Sequence, residues 1–178
     1  MISAHSLRTF VATRDDRIMR RVHRWRPPRW IRVWMVAATR LGDGWLWYAL
    51  GIALLIAGGH KQLVAVEAAG AATASGILLY CAMKRVFRRQ RPCEIEPHCW
   101  AHILPPDQFS FPSGHSITAF SIALALGHYY PVVQAPLVLI AASIALSRII
   151  LGMHYLSDVV AGAVIGCGLG LVFVQVFH

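Results

Sequence analysis

From Gln108 to the last residue, His178, the chain carries only two formal charges, Arg148 and Asp158, in otherwise apolar sequence. Sequence of that kind belongs in lipid, where a single charge at mid-depth costs about 2.5 to 3.5 kcal/mol on insertion scales. A charge retained there needs a partner or a job. Over all 178 residues, 57% are hydrophobic and 14% charged, against roughly a quarter charged in soluble domains. The expected fold class is all-α: a polytopic transmembrane helical bundle of about five to six spans with an N-terminal amphipathic interfacial helix. The length allows one domain, so residues 1–178 are read as a single membrane-embedded unit.

The formal charge of +9 comes largely from ten arginines within residues 1–40, set against Asp15 and Asp16. Nucleic-acid binding is the rival explanation of that excess. It is set aside because the basic stretch abuts apolar runs, where anionic headgroups attract cations. The first residues lack the apolar core of a signal peptide, so no cleaved leader is expected. Residues 4–26 mix Leu7, Phe10, Val11, Ile18, Met19 and Val22 with arginines, as an amphipathic surface helix does. Trp30 to Leu41 is short and contains Arg32 and Arg40, so residues 1–41 are read as interfacial. Spans are expected at Trp45–Ala57, Leu63–Met83, Ser113–Tyr130, Val132–Ile150 and Tyr155–Phe177, the first of them short for a ~30 Å core. Gly162, Gly166 and Gly170 recur every four residues, a close-packing face between helices. Glu67 is an intramembrane carboxylate without a companion motif, more in keeping with a headgroup-level or neutral side chain than with a site. Cys81 and Cys167 are packing residues. Cys93 and Cys99 are either unrelated thiols or a pair able to close a small disulfide loop on an oxidising face.

Three polar stretches carry the chemistry: KRVFRRQRP at Lys84–Pro92, FSFPSGH at Phe109–His115 and SRIILGMHYLSD at Ser147–Asp158. With five spans and short turns, parity puts all three on one membrane face. Ser113 and Gly114 follow Pro112 at an expected helix start, where free N–H groups and the helix dipole seat an anion. An ordinary Ser N-cap is the plain alternative. Lys84 and Arg91 are seven apart, but Pro92 disfavours helix at Arg91, so Arg91 should leave the helix end and bend back. Arg pairs phosphate oxygens bidentately and Lys acts as a point charge. Arg85, Arg88 and Arg89 are expected to face solvent or headgroups. His154 and Asp158 are four apart, on one face of the last helix's first turns. There the carboxylate would orient the imidazole for attack. A merely structural His–Asp pair is made less credible by Arg148 nearby. His115 faces the three cations across the site.

The patterns KxxxxxxRP, PSGH and SRxxxxxHxxxD resemble the three signature motifs of the type-2 phosphatidic acid phosphatase superfamily, which includes membrane lipid phosphatases, glucose-6-phosphatase and vanadium haloperoxidases. The resemblance spans residues 84–158, with every signature position matched. It implies a phosphatase needing neither metal nor cofactor, in which His154 forms a phosphohistidine, Asp158 orients it and His115 protonates the leaving group. Lys84, Arg91 and Arg148, with Ser113 and the Gly114 amide, correspond to the phosphate-binding set. Many membrane members have six spans, where five are counted here. The resemblance implies a bacterial inner-membrane protein with a periplasmic site, and that face is the expected one, with the N-terminal segment either tolerating that side or inserting as a sixth span; the N-terminal arginines by themselves argue for a cytoplasmic site.

The expected substrate is a lipid phosphate or diphosphate, such as undecaprenyl diphosphate, phosphatidylglycerol phosphate, phosphatidate or lipid A 1-phosphate, with the bilayer as the other partner. A non-catalytic lipid-phosphate binding or transport protein is the alternative. It would not need His115, His154 and Asp158 together. Oligomeric state is not legible.

Overall fold

The computed structural model describes residues 4–95 and 107–177. Its helices are α1 (Ala4–Arg24), α2 (Arg29–Gly42), α3 (Trp45–Ala57), α4 (His60–Phe87), α5 (Pro92–Ile95), α6 (Gly114–Tyr129), α7 (Pro131–Ile150) and α8 (Leu156–Val176). Among the described residues the extended structure is one isolated bridge, Gln90 with Phe109. Each break has a local cause. Pro27 and Pro28 separate α1 from α2. Gly44, at φ 113°, takes a left-handed conformation that a side chain would resist, and so turns α2 into α3. Pro131 opens α7 at a position where its missing N–H costs nothing.

The five apolar helices α3, α4, α6, α7 and α8 stand where the sequence places spans. Of these, α4, α7 and α8 are long and apolar enough to cross a membrane by themselves, while α3 is a shorter apolar helix. α6, at 16 residues, is shorter too. It is the central helix, packed against α4, α7 and α8, with Ile117, Ala119, Ala123 and Ala125 fully buried. Ile56, Leu78, Val132 and Val164 remain exposed on the bundle's outside. Large apolar side chains on outer faces suit lipid rather than water, and the protein is an integral membrane protein.

The glycine face on α8 is a seam against α6, as its four-residue spacing predicts. A Cβ on Gly162 would lie 2.7 Å from the Ser113 carbonyl oxygen, and one on Gly170 2.8 Å from that of Ser121. On Gly166 it would strike the Ile117 carbonyl oxygen. The obstacle is backbone in every case, so no rotamer change makes room. This close approach fixes the start of α6 relative to the start of α8, and both starts carry site residues.

α1 has the expected amphipathic character: Asp15, Met19 and His23, spaced by four, form its buried stripe, and Arg14, Arg17, Arg20, Arg21 and Arg24 lie outside. Met19 packs with Ala145, Ile149, Tyr155 and Val159. α2 lies along the last turns of α7, with Met35 clustered with Ile150, Leu151 and Met153, and Gly42 against His115 and Ile144. Both N-terminal helices therefore sit at the end of the bundle that holds the three motifs.

Candidate active site

The end of α4, the start of α6 and the α7–α8 connection converge, as the parity of the spans requires. Backbone bonds tie the motifs to one another. The Cys93 N–H donates to the Gly152 carbonyl (3.0 Å), Ser113 N–H to that of Asp158 (3.1 Å), and Ser110 N–H to that of Arg89 (2.8 Å). A cavity of about 650 Å³ opens among them, lined by Lys84, Arg91, Gly114, His115, Arg148 and His154 together with Asp43 and Asp107. Six of the eight expected residues thus line one cavity, and a seventh, Asp158, is buried behind His154. Ser113 is the exception in kind. Its hydroxyl caps α6, accepting from the Ser116 N–H (3.4 Å) and hydroxyl (2.9 Å), and it is fully buried off the cavity lining. The plain N-cap reading is the one the structure bears out. Gly114 does line the cavity, and the Tyr80 ring lies 3.1 Å from where its Cβ would be.

His154 is not on the last helix but in the loop before α8, because Tyr155 is extended (ψ 162°) and serves as that helix's N-cap. The loop is closed by the N–H groups of Met153 and His154, which donate to the Arg148 carbonyl (2.9 and 3.1 Å). His154 Nε2 lies 3.2 Å from Arg91 Nη1. A guanidinium only donates, so Nε2 offers its lone pair and the ring proton sits on Nδ1. Nδ1 in turn faces Asp158 Oδ2 at 3.7 Å, outside hydrogen-bonding range. The expected direct bond from Asp158 is therefore not made. Its Oδ2 accepts from the Tyr155 N–H (2.9 Å) and its Oδ1 from Arg89 (2.7 Å). Burial, and then the Arg91, Arg148 and Lys84 charges, hold the His154 pKa well below its ordinary value. The ring is consequently neutral at physiological pH, the form that can attack.

Two of the three expected phosphate-binding cations are already paired. Asp107 Oδ2 accepts from Lys84 Nζ (2.6 Å), its Oδ1 from Arg91 Nη2 (2.7 Å) and its carbonyl from Arg91 Nε (2.8 Å). Burial alone would raise the Asp107 pKa, but bonds to Lys84 and Arg91 outweigh it and lower the value. Arg91 does bend back from the helix end: α4 stops at Phe87 with Arg88 as its cap, and Arg91 is fully buried, donating also to the Met153 carbonyl (2.7 Å). Arg148 donates to the Thr39 hydroxyl, which leaves its Nε and Nη2 buried without a partner among the described residues. Those two donors and the neutral Nε2 are what an entering anion would meet.

Three carboxylates were missed as site residues in the sequence, and one arginine was misassigned. Asp43, at the α2–α3 turn, places Oδ1 3.0 Å from His115 Nε2. It sits outside the motifs, and its place between Gly42 and Gly44 is the one signal the sequence offers for it. Asp107 and Asp15 also lie outside the motifs, where nothing in the sequence separates them from ordinary loop and surface charges. Arg89 does not face solvent or headgroups as expected. Its Nη1 donates to Asp158 Oδ1 and to the Ser157 hydroxyl (2.7 Å each), and its guanidinium lies 4.0 Å over the Tyr155 ring. α4 ends in a left-handed Arg88 (φ 46°), which turns Arg89 inward. A helical projection cannot show that. Glu67 is exposed on α4. Cys93 is free among the described residues, and its pairing with Cys99 falls outside them.

Away from the charges the cavity continues between α3 and α4, lined by Trp47, Ile52, Leu55, Val66 and Ile77. The site thus joins a cationic end to an apolar groove. A family model of the PAP2 superfamily matches residues 65–178. The chain is similar to the decaprenylphosphoryl-5-phosphoribose phosphatase of Mycobacterium tuberculosis, with 37% identity over 72% of this chain and 69% of that one. Two solved structures share its fold. One is a transmembrane PAP2-type phosphatidylglycerolphosphate phosphatase from Bacillus subtilis, with a TM-score of 0.71 and 26% identity, covering 94% of this chain and 85% of that one. The other is Aquifex aeolicus LpxE, with a TM-score of 0.74 and 30% identity, covering 89% and 93%. The motifs, the bundle and these likenesses agree, and the chain belongs to the PAP2 superfamily as one of its membrane phosphatases.

Proposed function

We propose that the protein hydrolyses a phosphate monoester or diphosphate on a membrane lipid, without a metal, through a phosphohistidine on His154. The lipid's phosphate sits among Lys84, Arg91, Arg148 and the Gly114 amide while its tail lies in the α3–α4 groove. His154 Nε2 attacks phosphorus, the bond from phosphorus to the leaving oxygen breaks, and His115 gives that oxygen a proton. Water then attacks the phosphohistidine, His115 takes its proton, the P–N bond breaks and inorganic phosphate leaves. The three cations stabilise the charge spread over the transferring phosphoryl group. Because Arg91 already donates to Nε2, phosphate oxygens drawing Arg91 toward themselves would uncover the lone pair as substrate arrives.

The single observation that carries this reading is the cavity itself, in which a neutral imidazole and buried guanidinium donors meet a groove walled by two apolar helices. A water-soluble phosphate ester has no use for such a groove. Two of the named relatives are phosphatases of different lipids, decaprenylphosphoryl-5-phosphoribose and phosphatidylglycerolphosphate, so the headgroup is the open variable. The test is phosphate release by the purified protein in detergent, with chelator present, from undecaprenyl diphosphate, phosphatidylglycerol phosphate, phosphatidate, lipid A and a prenyl-linked phosphoribose. We expect release from at least one lipid and none from glycerol 3-phosphate at equal concentration. Faster release from the soluble ester, or activity that chelator removes and magnesium restores, would overturn the proposal. The location that goes with this reading is a bacterial inner membrane, which the bacterial source of the similar phosphatases supports.

A further inference from the structure

Asp15 is an anomaly of position. It stands on the buried stripe of α1, in line with Met19 and His23, where an amphipathic helix ordinarily puts an apolar side chain, and it is 3% exposed. Asp16 beside it is exposed. An isolated carboxylate buried in this way would cost several kcal/mol, but Asp15 is fully engaged. Its Oδ2 accepts from Arg89 Nη2 (2.7 Å) and from the Ser157 hydroxyl, and its Oδ1 accepts from the Ser157 N–H (3.1 Å). The other arm of the same guanidinium holds Asp158 Oδ1 (2.7 Å). Arg89 is therefore shared between a carboxylate of the N-terminal helix and the carboxylate behind His154. Its planar fork is stacked over Tyr155 and so cannot serve one acid without being fixed by the other.

We propose that Arg89 and Asp15 are positioning residues for the phosphohistidine step, and that α1 is thereby a working part of the active site. Asp158 does not reach His154 at hydrogen-bond distance in the resting arrangement. The carboxylate's place, and with it the line of approach open to Nε2, is set by the bond from Arg89. Asp15 holds Arg89 in register. The inference rests on the phosphatase reading above, and a wild-type protein that releases no phosphate would refute that reading rather than this one.

The experiment compares Asp15→Asn, Arg89→Gln, Arg89→Lys and the double variant Asp15→Asn/Arg89→Gln with wild type in detergent, using the best lipid of the panel. Asp16→Asn is the control. Misplacing a reacting group by about 1 Å can cost ~100-fold in rate. We expect kcat to fall ~100-fold in Arg89→Gln and ~10-fold in Asp15→Asn, with KM within about twofold and the melting temperature held. The double variant should be no slower than Arg89→Gln alone, because Asp15 acts only through Arg89. Arg89→Lys should recover part of the loss, which a lost fold would not. Unchanged kcat in Asp15→Asn, a change confined to KM, additive losses in the double variant, or activity losses that follow the melting temperature would each overturn the proposal. Should Arg89→Gln fail to fold, the kcat and melting temperature of Asp15→Asn and Arg89→Lys decide the question alone.

Discussion

His154 and His115 differ in what removal should do. With His154→Ala no nitrogen remains to take the phosphoryl group, so turnover should be lost while vanadate still binds among the cations. With His115→Ala the missing function is protonation, and a better leaving group needs less of it. We expect the His115→Ala loss on a nitrophenyl phosphate ester to be at least about tenfold smaller than on a lipid alcohol. Equal losses on both would remove His115 from the acid role. Asp107 gives a second residue-scale prediction. Its carboxylate holds Lys84 and Arg91 at 2.6 and 2.7 Å, as a bound phosphate would, so an entering anion competes with it. Asp107→Asn should tighten vanadate inhibition, and weaker inhibition would instead make Asp107 a brace for the two cations. The signature residues were legible because a membrane makes every retained charge conspicuous. Asp43 and Asp15 were not, since they lie in the N-terminal segment, where charge is common and nothing in the spacing separates a buried acid from an exposed one.

The helices themselves were legible from apolar runs and from Gly and Pro at their ends, and the glycine face of α8 from its period. What the sequence could not show was the loop geometry, because the left-handed Arg88 and the extended Tyr155 decide which way Arg89 and His154 point. The helix seam gives a prediction at this scale. A Cβ at Gly166 meets the Ile117 backbone, whereas one at Gly168 meets nothing within 4 Å. Gly166→Val should force α6 from α8 at a cost of about 1–3 kcal/mol or more, carrying His115 away from His154. Gly168→Ala should be neutral or stabilising by up to about 1 kcal/mol through helix propensity. Thermal denaturation in detergent alongside phosphate release checks both. A Gly166→Val protein that melts and turns over like wild type would mean that the seam does not set the site.

At the scale of the whole molecule the question is which membrane face the site occupies. The resemblance favours the periplasm, and an N-terminal segment inserted as a further span would have reconciled that with the ten arginines of residues 1–40. Among the described residues of that segment, no helix is long and apolar enough to cross a membrane by itself. α1 meets the site's end of the bundle through Asp15 and Ser157, and α2 through Gly42 and His115. The arginines of both helices thus join Lys84, Arg85, Arg88 and Arg89 at one end, while the α3–α4 turn at the other end offers Lys61. Lys and Arg near the ends of apolar helices mark the cytoplasmic side, and this asymmetry supports a cytoplasmic site. Cys93, one residue past Pro92 and half-buried, reports on that face. In a Cys81→Ala/Cys99→Ala/Cys167→Ala background, a membrane-impermeant maleimide applied to spheroplasts under reducing conditions should leave Cys93 unmodified until the membrane is permeabilised. Labelling of intact spheroplasts would put the site in the periplasm, and the arginine-rich helices would then have to be held there against the positive-inside bias by their contacts with α7 and α8.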